Sequence, residues 1–282
     1  MSALEPKHPE DWRSLACVGL TLLFLCAPHA WAPPSWLAAP WIGIAAFLCF
    51  ASSIVNHNHM HSAVFRETRL NLLLNLLLTA ARGHTASGVI VPHNLNHHVE
   101  TSRQSDWIRP ELAGGGLGWI RCVRYIARAS ANMLVQRMRE SAPRLSRSRL
   151  PALAAEKALL ATAIVAALWH DWQVFLLFNA LPWLAGLALL VGVNLLQHDG
   201  CDPTKPLGES RNFTSPLGNW LLFNNGYHAA HHLEPGRHWS ELPELHRAIR
   251  PRITRADLEV RSILGFLWDF GWSRAAQGTT RG

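Results

Sequence analysis

Ten of the sixteen histidines in this 282-residue chain fall in four short patches: His57 to His61, His93 to His98, Asn194 to His198 and His228 to His232. Those patches total 21 residues, so even scatter would leave only about one histidine among them. Within them His57 and His61, His93 and His97, Asn194 and His198, and His228 and His232 are i, i+4 pairs, and His231 lies at i+3 from His228. On a helix such pairs share a face. Imidazole is the usual nitrogen ligand for zinc, copper, iron and nickel, so the pattern reads as a metal site. A structural zinc uses four ligands, commonly cysteines, and would leave most of these rings idle, whereas two ions would occupy them.

No patch contains an acidic residue, unlike the Glu and Glu-x-x-His motifs of soluble di-metal bundles. Neutral ligands leave the metal charge to be balanced from behind by carboxylates. Glu100, Asp106, Asp199 and Glu234 are the nearest candidates in the sequence. His59 should face away from its two neighbours as a hydrogen-bonding group. His84, His170, His238 and His246 lie outside the patches and read as structural.

Hydropathy says what must position these rings. From Ser14 through Phe65 there is no Asp, Glu, Lys or Arg, a run of 52 residues. That is enough for two membrane spans of about 20 residues each, with Pro33-Pro34 at the turn. A second pair is expected around His170-Asp171. The expected spans are about 14–32, 36–56, 152–169 and 172–197, with the remaining 57–151 and 198–275 forming a cap. Neither turn carries Lys or Arg. By the positive-inside rule both termini and all four patches should therefore be cytoplasmic.

The net charge of +7 follows from that rule and from contact with anionic lipid, and does not require nucleic acid. Between Trp119 and Met138, apolar Ile120, Val123, Ala127, Leu134 and Met138 alternate with Arg121, Arg124, Arg128 and Arg137, as in a helix lying in the interface. Leu70 to Ala81 is apolar but too short to span. The five cysteines form no C-x-x-C pair, which argues against a zinc knuckle or a disulfide framework.

Together the patches resemble the membrane fatty acid desaturase superfamily. His57-x-x-x-His61 is similar to its first histidine box, His93-x-x-x-His97-His98 to its second and His228-x-x-His231-His232 to its third, while Asn194-x-x-x-His198 looks like its additional ligand position. The stretch from Arg211-Asn212-Phe213 through Asn224-Asn225-Gly226-Tyr227 to His238-Trp239 is similar to bacterial acyl-chain desaturases. The second box departs from many members in having three residues, not two, before its paired histidines, which leaves the role of His93 open.

The resemblance implies an all-α integral membrane protein of one domain, with four transmembrane helices in two hairpins and a cytoplasmic helical cap, in a bacterial inner membrane. It implies a non-haem di-iron centre held by His57, His61, His93, His97, His98, His198, His228, His231 and His232, with Asn194 reaching a metal through water, and no catalytic residue beyond these ligands. The implied reaction uses O2 and two electrons to desaturate a fatty acyl chain carried by lipid, coenzyme A or acyl carrier protein. Hydroxylation or acetylenation on the same centre is the alternative, and a membrane metal carrier is a more distant one. No haem-binding His-Pro-Gly-Gly motif is present, so electrons would come from a separate ferredoxin, rubredoxin or cytochrome. Arg121, Arg124 and Arg128 are the expected docking site for that acidic partner.

Overall fold

The computed structural model describes residues 4–31, 33–144 and 146–275, with the side chains of 137–144 and 275 left out. It is mostly helical and divides into two units, Met1–Ile90 with Leu145–Leu190, and Val91–Arg144 with Val191–Gly282.

The first unit is built on α1 (Asp11–Ala30) and α2 (Ser35–His61). Both are long and apolar enough to cross a membrane. Small polar groups tie them together: the Thr21 hydroxyl donates to Cys17 O at 2.7 Å and lies 2.8 Å from Ser52 Oγ. The short apolar segment forms α3 (Thr68–Arg82), which packs against α1, α2 and α6. The third apolar stretch is a continuous helical run of 52 residues, Arg147–His198. It contains α6 (Leu150–Phe175), a π-helical turn at Leu176–Ala180 and α7 (Leu181–His198). A straight helix of that length would measure about 78 Å, more than twice a hydrocarbon core. It is broken at Asp171, whose backbone is extended (φ −159°, ψ 103°), where the sequence reading placed the turn between two spans.

Among the buried charged side chains of this unit are Arg82 on α3 and Glu156 on α6. Arg82 Nε donates to Ser53 Oγ at 3.1 Å, and Glu156 accepts from Ser87 N and Ser87 Oγ at 2.9 and 2.6 Å. Buried charges among apolar helices persist only when held in this way. Gly186 on α7 lets the backbone approach α2, since a Cβ there would sit 2.7 Å from Cys49 Cβ.

The second unit begins with a π-helix, Ile90–His97, that runs directly into α4 (His98–Glu100). Beyond a loop comes α5 (Gly118–Arg144), then the C-terminal end of α7, followed by α8 (Pro216–Leu221), α9 (His228–Leu233), α10 (Leu242–Ile249) and α11 (Ile263–Trp272). Two minimal sheets close it. The antiparallel pair is β1 (Gly116–Leu117) with β4 (Arg274–Ala275), and the parallel pair is β2 (Asn212–Phe213) with β3 (Glu259–Val260).

Candidate metal centre

The π-helix explains the unusual second box. With about 4.4 residues per turn, a π-helix brings residues i+4 and i+5 over residue i, and such turns recur at functional sites. His93 accordingly faces both of its partners. Its Nε2 lies 3.0 Å from His98 Nε2, and its ring stacks on His97 with centroids 5.4 Å apart. The spacing that left His93 open in the sequence is the spacing this helix type accommodates.

The third box depends on the asparagine-rich segment before it. The α9 helix is only one and a half turns long, and its Ala229 N–H is capped by Asn212 Oδ1 at 3.0 Å. Asn219 fixes the loop leading in, donating to Phe213 O at 2.7 Å and accepting from Gly226 N at 3.0 Å. Gly226 is required there because a Cβ would fall 2.1 Å from Phe213 O. Asn224 Nδ2 donates to Trp239 O, and Gln197 Nε2 donates to Asn225 O, both at 3.0 Å.

Within the second unit seven of the candidate histidines converge. His97, His198, His228 and His232 offer nitrogens within 4.8 Å of one another, and so do His93, His98 and His231. In the first group the Nε2 atoms of His97 and His198 are 3.2 Å apart, those of His198 and His228 are 3.0 Å apart, and those of His228 and His232 are 3.2 Å apart. In the second, His98 Nε2 is 3.0 Å from both His93 Nε2 and His231 Nε2. His57 and His61 sit on the last turns of α2 in the first unit, with ring centroids 5.0 Å apart. His59 points elsewhere, accepting from Val64 N at Nδ1 and lying 3.1 Å from Asn75 Oδ1 at Nε2.

The tautomers test whether these residues fit a cation. His97 Nδ1 lies 2.9 Å from Asp106 Oδ2 and His198 Nδ1 lies 2.9 Å from Glu209 O. Both partners only accept, so both Nδ1 atoms carry the hydrogen. The two Nε2 atoms therefore aim lone pairs at each other across 3.2 Å, an arrangement relieved by a positive ion between them. All the donors are imidazole nitrogens, a set suited to transition metals. His232 is kept neutral and ready to ligate. Burial first, then the neighbouring His228, His198, His98 and His97, push its pKa well below the ordinary histidine value.

Of the four candidate carboxylates one stands behind a candidate ligand. Asp106, with no exposed surface, accepts from His97 and from the backbone N–H groups of Ser102 and Ile108. Burial acts to raise its pKa, but the His97 hydrogen bond and charge, with the two backbone donors, outweigh it and hold the carboxyl below its usual value. Asp199 instead forms a two-pronged ion pair with Arg121 at 2.6 and 2.9 Å. Glu100 accepts from Ser105 and Glu234 pairs with Arg237. The Glu209 carbonyl, which fixes His198, was missed by a reading confined to side chains.

Asn194 lies one turn before His198. Its Nδ2 donates to Tyr125 OH at 2.6 Å and to Ile108 O at 3.2 Å, while the Tyr125 hydroxyl donates to Ile108 O. The amide nitrogen is thus committed on one side, and its orientation is fixed by an acceptor-only carbonyl. Tyr125 is a positioning residue that carried no signal in the sequence.

The expected docking residues Arg121, Arg124 and Arg128 all bond locally, and Arg128 remains exposed. Arg121 is bound to Asp199 and to Gly114 O, Arg124 donates to Ala113 O and Gly115 O, and Arg128 to Leu112 O. These guanidinium groups hold the glycine-rich loop against α5, where a carbonyl-lined turn offered the nearest acceptors.

Three helices long and apolar enough to cross a membrane and a histidine cluster that could hold metal fit a membrane-type metalloprotein. The fatty acid desaturase family matches residues 12–263 of the chain, nearly its whole length, and the chain belongs to that family. Membership implies an oxidoreductase acting on fatty acyl substrates in a lipid setting. No curated protein matches the sequence significantly.

Proposed function

We propose that the chain is an oxygen-dependent di-iron desaturase that introduces a double bond into a fatty acyl chain. The observation that carries this reading is the convergence of imidazole Nε2 atoms, with the ring hydrogens of His97 and His198 fixed on the far side by Asp106 and the Glu209 carbonyl. His97, His198, His228 and His232 would hold one iron, with Asn194 reaching it through water. His93, His98 and His231 would hold the second, and His57 and His61 are kept as metal ligands by the family resemblance. Iron bound there, given O2 and two electrons, supplies an oxidant able to remove hydrogen from an unactivated methylene.

The chain's own contribution is positional. Asp106 and the Glu209 carbonyl keep two rings in the ligating tautomer, and Tyr125 with Ile108 O fixes the Asn194 amide. The apolar helices favour a substrate dissolved in lipid over one in water. Four spans are supported by the break at Asp171 and cytoplasmic termini by the absence of Lys and Arg from the two turns, and a single desaturase domain by the family match over residues 12–263; an inner-membrane location is proposed with them. A separate ferredoxin, rubredoxin or cytochrome would deliver the electrons.

The test is mass-spectrometric profiling of acyl chains from a host expressing the chain, with His231→Ala as control and metal analysis of both proteins. A new double bond absent from the control, with iron in the wild type, is the expected result. A new hydroxyl or triple bond would reassign the reaction to hydroxylation or acetylenation, and zinc without acyl modification would favour the metal-carrier reading.

A further inference from the structure

We infer that the arginine-rich face of residues 247–261 is the docking surface for a small acidic one-electron donor protein. The inference rests on the di-iron reading only in that such a centre needs electrons. These fifteen residues contain Arg247, Arg250, Arg252, Arg255 and Arg261 against one Asp and one Glu. Arg250 pairs with Glu259 and Arg255 with Asp257. Arg247, Arg252 and Arg261 are exposed and join no ion pair among the described residues. Glu241 and Glu244 are exposed at the opposite end of α10, so the positive charge gathers at its C-terminal end and just beyond.

Two observations favour a protein donor over lipid headgroups. Among the described residues no large hydrophobic side chain from Glu234 to Ile263 is exposed, whereas Leu264, Trp268 and Trp272 on α11 are. A surface that lies in the interface carries such anchors among its charges, and here they begin only beyond Arg261, at Leu264. The second observation is a short bonded route from the patch to the third box. Arg250 Nε lies 3.7 Å from Glu259 Oε2, and His246 Nε2 3.2 Å from the same oxygen. Asn212 Nδ2 donates to Glu259 Oε1 at 2.8 Å, and Asn212 Oδ1 accepts from Ala229 N, next to His228. His246 also packs on Tyr227 with ring centroids 4.8 Å apart, so the patch reaches the residues on either side of His228's own backbone.

The experiment compares the wild type with Arg247→Glu, Arg252→Glu and Arg261→Glu combined, as iron-loaded chains in nanodiscs. The probe is an acidic [2Fe–2S] ferredoxin, with dithionite as a reductant that needs no docking site. Wild type should bind ferredoxin with an affinity that falls as salt rises. The triple variant should lose about tenfold or more of that affinity, together with its salt dependence, while keeping its iron content and dithionite-driven turnover. Equal affinity and salt slope in the two proteins would overturn the inference, as would a wild type that does not bind. Loss of anionic-vesicle binding in the variant with ferredoxin affinity unchanged would assign the patch to lipid and overturn it too. Ferredoxin affinity is read without turnover, so absence of dithionite-driven product would count against the di-iron reading alone.

Discussion

Asp106 Oδ2 lies 2.9 Å from His97 Nδ1, and the two side chains are 0% and 1% exposed. The carboxylate also accepts from two backbone N–H groups, so it orients a ligand and pins a loop at once. Asp106→Asn keeps the shape but supplies one acceptor oxygen in place of two. Metal affinity should fall about 10- to 100-fold, read by competition with a chelator, and unchanged affinity would refute the positioning role.

The same residue predicts a pH dependence. Its folded pKa is lowered, so the stability it confers is fully present above the unfolded value of about 4 and is lost as pH falls through the lower folded value. Thermal unfolding of metal-free wild type and Asp106→Asn should differ most at neutral pH and converge in strong acid. A gap that widens on acidification would contradict the sign.

Most of the candidate site was legible in the sequence because histidines at i, i+3 and i+4 announce a helical face. His93 was the exception, since its spacing makes sense only on a π-helix, and nothing in Ile90-Val91-Pro92 forecasts one. Residues that act through the backbone were also invisible. Ile108 and Glu209 contribute carbonyl oxygens, which any residue type could supply. The local partners of the arginines at 121, 124 and 128 were hidden for a related reason: their acceptors are mainly loop carbonyls, which hydropathy patterns cannot locate. The apolar runs were plain, but the form of the turn at His170-Asp171, a kink at one extended residue, needed backbone geometry.

Arg121 and Asp199 form a largely buried pair, with side chains 9% and 20% exposed. Arg121→Met strands the carboxylate beside His198. The cost should be about 3 kcal/mol, at the low end for a broken buried pair because Asp199 keeps some solvent. Arg121→Met combined with Asp199→Leu should recover part of that loss, measured as thermal midpoints of the three proteins. No recovery would mean that the Arg121 contact with Gly114 O, and not the ion pair, is what stabilises.

Tyr125→Phe removes the hydroxyl shared by Ile108 O and Asn194 Nδ2 while leaving the ring in place. A buried hydrogen bond lost from both partners should cost about 1–3 kcal/mol. Iron content should stay the same while the spectrum of the bound metal shifts, because the Asn194 amide is then held by Ile108 O alone. An unaltered spectrum would show that Asn194 does not sense the metal.

Removing the metal supplies the most direct test of the centre. With no cation between them, the Nε2 lone pairs of His97 and His198 stay opposed at 3.2 Å, held there by Asp106 and by the Glu209 carbonyl. The fold cannot turn either ring without breaking a buried hydrogen bond, so the chelated chain should unfold at a lower temperature than the loaded one, and iron should restore it. The histidines fall into two groups, so reloading should take up about two irons per chain, and His198→Ala, which belongs to the compact group, about one. The second group, His93, His98 and His231, should keep its ion in that variant. If His198→Ala lost both irons with the fold intact, the two groups would be acting as one indivisible site, and the division of ligands proposed above would fail.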